Sequence, residues 1–100
     1  MSSSEVLEIL NAWKRDELDI FGFWASSSEK RPAVAFSFEG YILGADEEAI
    51  LVSGDPSDRV KGSPRVHASF SLKGAAPSRP DPQRLRFTFD SGAILDIKLG

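Results

Sequence analysis

The chain has no cysteine, one histidine, one methionine and one tyrosine among its 100 residues. Without cysteine there is no disulfide, no thiolate metal site and no thiol nucleophile. That absence leaves the redox compartment open. No apolar run approaches the roughly 20 residues that a bilayer-spanning helix requires, so no membrane partner is expected. The opening Met1-Ser2-Ser3-Ser4-Glu5 lacks the basic and apolar regions of a signal peptide, and the expected location is cytoplasmic. No glycine-rich phosphate loop occurs either. Lys61-Gly62-Ser63 has the wrong residue order for one, and no strand-to-helix context follows it.

What is present is an ordinary globular composition, 41% hydrophobic and 27% charged with ten aromatic residues, which excludes wholesale disorder. One hundred residues form a single domain, 1–100, large enough for one core without covalent staples. The net charge of −3 is unevenly placed: residues 1–50 carry four basic and ten acidic side chains, residues 51–100 eight basic and five acidic. Such a dipolar chain has the means to self-associate or to present a basic end to an anion.

Residues 4–15 read as the one helix. Val6, Leu7, Ile9, Leu10 and Trp13 recur at the spacing of a single helical face, with Ser4 or Ser2 as the cap. Lys14 and Arg15 sit in the last turn, where cations complement the helix dipole. Beyond it the chain alternates apolar and polar residues, as in Leu85-Arg86-Phe87-Thr88-Phe89 and, after Asp90-Ser91-Gly92, Ala93-Ile94-Leu95-Asp96-Ile97-Lys98-Leu99. A period of two gives each strand one greasy and one wet face. Strands are expected at 18–25, 34–38, 41–43 (after a bulge or bend at Gly40), 49–52, 66–72, 85–89 and 93–99. The connections comprise a polar loop at 26–32 and two long loops at 53–65 and 73–83. The fold class is therefore α+β: one N-terminal helix packed on a meander of six to seven antiparallel strands. Twist is expected to curl this sheet strongly, into a partly closed barrel or around the helix.

The segment 18–25 differs from the rest. Leu18, Ile20 and Trp24 point one way and Phe21 and Phe23 the other, so both faces are apolar. Phe21, Phe23 and Trp24 are accordingly the candidate interface residues, aromatics being enriched at subunit contacts. The candidate anion contacts are Arg59, Lys61 and Arg65 in the first long loop and Lys73 and Arg79 in the second. No aromatic interleaves with these cations as a nucleic-acid stacking site requires.

Catalytic chemistry has little to build on. His67 lies on the wet face with Ser69 and Ser71, near Arg86, Thr88, Asp90 and Asp96 if the last strands are neighbours. A nucleophilic triad needs a sheltered nucleophile beside oxyanion donors, and a solvated sheet face offers neither. Asp46-Glu47-Glu48 diverge as consecutive turn residues instead of converging on a cation. No catalytic, metal or cofactor-binding residue is assigned, and no cofactor is expected.

The stretch Gly40-Tyr41-Ile42-Leu43-Gly44-Ala45-Asp46-Glu47-Glu48-Ala49-Ile50-Leu51-Val52 resembles in part the first motif of the Sm-like proteins. In that family an N-terminal helix joins a bent antiparallel sheet, and the subunits assemble into RNA-binding rings. Gly40, Ile42, Asp46, Ala49 and Leu51 fill the motif positions. Ile50 stands where the family's RNA-contacting asparagine is expected, Ala45 where a bulky apolar residue is usual, and the second, Arg-Gly-containing motif has no counterpart in 84–99. The expected function is a non-enzymatic protein-interaction or assembly module, a homo-oligomer with the dimer favoured. The alternatives are RNA binding, through an Sm-like ring or the basic loops, and a barrel that binds a small ligand.

Overall fold

The computed structural model describes residues 1–28, 31–54 and 66–100. Helix α1 spans Ser3–Arg15, and its cap is Ser2, not Ser4: the Glu5 amide donates to Ser2 Oγ at 3.2 Å. The Ser2 hydroxyl also reaches the Glu5 carboxylate at 3.2 Å, which sets the first turn. At the other end the Leu18 amide bonds to the Trp13 carbonyl (3.0 Å) and the Glu17 amide to that of Lys14 (3.1 Å). These two bonds form a Schellman motif, and Glu17 takes the left-handed conformation it demands, φ 54°.

Among the described residues seven strands follow: β1 (Asp19–Ser28), β2 (Arg31–Ala45), β3 (Ala49–Ser53), β4 (Ala68–Ser71), β5 (Ala75–Ser78), β6 (Arg84–Phe89) and β7 (Ile94–Leu99). All pairings are antiparallel, and the order across the sheet is β4-β3-β2-β1-β7-β6-β5. The sheet is thus two meanders joined side by side, with β1 and β7 pairing although they come from opposite ends of the chain.

The expected closure does not occur. The sheet is open, neither closed into a barrel nor strongly curled, with β4 and β5 as its two edges. It bends instead. Leu43 is an extra residue on β2, since Ile42 pairs with Val52 and Gly44 with Leu51; this bulge kinks the strand near its end. Gly40, where the irregularity was expected, is regularly paired with Ile20. It is glycine for another reason: a Cβ there would collide with the Ser53 carbonyl oxygen.

Two loops also prove to be partly strand. In 26–32 the pairs Ser26–Val34 and Ser28–Arg31 extend the β1–β2 hairpin, so polarity there marked an outlying hairpin end instead of a loop. The stretch 73–83 contains β5, whose Ala-Ala-Pro-Ser sequence carries no β-branched residue. Pro77 is tolerated because β5 is an edge strand, paired only with β6.

The inner face carries the core. Val6, Leu10 and Trp13 of α1 pack with Ile20, Ile42, Ile50, Val52, Leu85, Phe87, Leu95 and Ile97. Because α1 lies against this face, helix and sheet satisfy each other's apolar surface. Toward the hairpin end the packing is aromatic. The Trp24 ring lies 6.0 Å from that of Phe70 and 5.4 Å from that of Phe89, centroid to centroid, and Phe38 lies 5.1 Å from Phe70.

Candidate interaction surface

The outer face is built by strand parity. Phe21 is flanked by Glu39 of β2 and Lys98 of β7, and Lys98 in turn by Arg84 of β6. One row on, Phe23 is flanked by Ser37 and Asp96, with Arg86 beyond Asp96. The third row is Ala35, Ala25, Ile94 and Thr88. Residues opposite one another across a ladder share a face, so these rows form one continuous surface.

Phe21 and Phe23 remain 38% and 46% exposed, and Ile94 lies beside them at 37%. A single exposed apolar residue needs no explanation, but neighbouring aromatics on a sheet face mark a contact surface. Its charged border is ordered. Both the Nε (3.0 Å) and the Nη2 (2.9 Å) of Arg86 reach Asp96 Oδ2, and Arg84 Nε lies 3.3 Å from Oδ1. Asp96 therefore pairs with two arginines at the margin of the phenylalanine pair.

Trp24 is not part of this surface. It pairs with Leu95 and Phe36, on the inner face, where it is half-buried against the core. The apolar character of both sides of 18–25 thus has two causes: core on the side of Ile20 and Trp24, an uncovered face on the side of Phe21 and Phe23.

The two described cations among the named anion contacts, Lys73 and Arg79, do not come together. Lys73 borders a surface hollow with Glu47, Glu48 and Ser71. Arg79 borders a different one with Glu5 and Glu8 of α1, and its Nη2 donates to the Pro82 carbonyl at 2.7 Å. Acidic neighbours cancel the local field that a phosphate would need. Arg59, Lys61 and Arg65 lie outside the described residues.

His67 has a structural partner. The Gly54 amide donates to its Nδ1 at 2.7 Å, with Ser53 Oγ at 3.3 Å. The lone pair of Nδ1 is thereby occupied, and Ser53 is fully buried, so the pair lacks an exposed nucleophile and a free base nitrogen. Asp46 accepts from the amides of Glu48 (2.8 Å) and Ala49 (2.9 Å), a side-chain cap on the β2–β3 turn. A cavity of only about 60 Å³ lies under α1, lined by Val6, Leu7, Leu72 and Phe87 among others.

No protein-family model, curated protein or solved structure matches this chain. The Sm-like motif positions fall on β2, the Asp46 turn and β3, and Ile50, at the position of the RNA-contacting residue, is completely buried in the core. Among the described residues, no helix is long and apolar enough to cross a membrane.

The row Glu39–Phe21–Lys98 escaped the sequence reading altogether. Its signal is present only once β7 is known to pair with β1.

Proposed function

We propose that this chain is a non-enzymatic assembly module that associates with itself through the outer face of β1 and β7, the dimer being the favoured state. The observation that carries this reading is the adjacent exposure of Phe21 and Phe23 on a sheet face bordered by ordered charges. Removing the remaining exposed surface of each ring from water contributes about 1 kcal/mol, and aromatics within a charged rim are the usual composition of an interface centre.

The test is solution mass by light scattering across a concentration series, for the wild type and for Phe23→Glu. The wild type is expected to show a dimer that Phe23→Glu converts to a folded monomer. Trp24→Ala, on the inner face, is expected to lower stability while leaving the association of the folded fraction intact. A wild type that stays monomeric at millimolar concentration overturns the reading, as does a Phe23→Glu protein that still dimerises.

A further inference from the structure

Granting the proposed self-association through this face, the distribution of charge across it selects one arrangement of the two copies. We infer that the dimer is a face-to-face sheet pair whose two-fold axis runs parallel to β1, so that Glu39 of each protomer faces Lys98 of the partner subunit.

The argument begins from the register. Glu39, Phe21 and Lys98 stand side by side on β2, β1 and β7. The negative group is on one side of the phenylalanine column, and the positive groups Lys98 and Arg84 are on the other. Glu39 and Lys98 belong to strands separated by β1, roughly 10 Å apart in the sheet, and neither has an ion-pair partner among the described residues. Asp96, in contrast, is already engaged by Arg84 and Arg86. Among the described residues of these three rows, the unpaired charges are therefore one anion and one cation, placed on either side of the ring of Phe21.

A two-fold axis along β1 exchanges the two sides of the column and keeps each row at its own height. The partner's β2 then overlies β7, the partner's Glu39 meets Lys98, and the Phe21 and Phe23 columns of the two copies stack on each other. Sheets packed in this way lie about 10 Å apart with a modest rotation between strands, a gap that a glutamate and a lysine span together. An in-plane axis perpendicular to the strands, at the level of Phe23, does the opposite. It sets Glu39 over the partner's Ala35 and Lys98 over the partner's Ile94, stranding both charges against apolar groups. Self-complementarity under the symmetry operator is what an isologous contact requires, and the axis along β1 supplies it for both unpaired charges at once.

The patch also sets the strength. Four strands by three or four residues cover roughly 300 Å² of sheet per copy, below the approximately 800 Å² per partner of a standard interface. The dimer is therefore weak, and its charge pairs have a measurable share in holding it.

The experiment is a charge exchange, read by sedimentation velocity at low salt, with melting curves confirming that each variant is folded. Glu39→Lys and Lys98→Glu should each weaken the homodimer by about 10-fold or more, since each turns both opposite-charge contacts of the dimer into like-charge ones. Mixed one to one, the variants should recover wild-type affinity as a heterodimer, because each supplies the charge that the other lacks. Native mass spectrometry distinguishes that heterodimer by mass. If Phe23→Glu dissociates the wild-type dimer but the charge variants are neutral or fail to recover on mixing, the axis is wrong and the interface stands. If Phe23→Glu leaves the dimer intact, or the wild type is a monomer, the underlying interface reading fails and this inference with it.

Discussion

Gly22 lies directly beneath the ring of Phe38, its cross-strand partner in β2, so closely that a Cβ on Gly22 would overlap the far edge of that ring. A glycine in a central strand ordinarily weakens it; here the missing side chain is the space the phenylalanine fills. Gly22→Ala should cost about 1–2 kcal/mol in urea unfolding, because the ring must swing away from its packing on Phe70. The same substitution in a Phe38→Leu background should cost clearly less. Additive effects of the two changes would show that the contact is not the cause.

Gly40 and Gly44 make a contrasting pair on β2. A Cβ at Gly40 would strike the Ser53 backbone carbonyl, which cannot rotate aside, whereas one at Gly44 would meet nothing within 4 Å. Gly40→Ala should therefore lower stability by about 3 kcal/mol or more, through a forced shift of β3. Gly44→Ala should stay within about 0.5 kcal/mol of the wild type. Equal denaturation midpoints for the two variants would count against the close approach at Gly40.

Glu17 holds a left-handed backbone conformation at φ 54° that its Schellman motif requires and its Cβ opposes. Glu17→Gly should raise stability by about 0.5–1 kcal/mol. The side chain is exposed, so little packing opposes the gain. A lower melting temperature for this variant would mean that interactions of the glutamate outweigh its backbone cost.

His67 secures the Gly54 amide through Nδ1. Removal by His67→Ala should cost about 1 kcal/mol and speed hydrogen exchange at Gly54. His67→Asn should restore part of both, since an amide oxygen can take the acceptor position of Nδ1. Unaltered exchange at Gly54 in the alanine variant would remove this role.

Asp96 separates Arg84 from Arg86 on the outer face. Asp96→Ala leaves two guanidinium groups adjacent and unbridged, and should destabilise the fold by about 1 kcal/mol at low salt, less at high salt. A salt-independent loss would point to packing instead of charge.

Much of this architecture was written locally. The helix, its basic last turn and the hairpin at Asp90-Ser91-Gly92 follow from spacing and turn chemistry within a few residues, and strand parity correctly separated Phe21 and Phe23 from Ile20 and Trp24. Parity is local because consecutive side chains leave a strand on opposite faces whatever lies around them. Strand β5 escaped notice because Ala75, Ala76 and Pro77 have no strand preference of their own; β6 recruits them as its edge partner.

The sequence by itself determined which residues are greasy, which way they alternate and where the chain turns. Only the tertiary structure decided which greasy face α1 covers, and so which one is left bare. It joined β1 to β7, setting Glu39 and Lys98 on either side of Phe21 from positions 59 residues apart. It also kept the sheet open, since pairing between distant segments depends on the shape of the whole core and on no local preference.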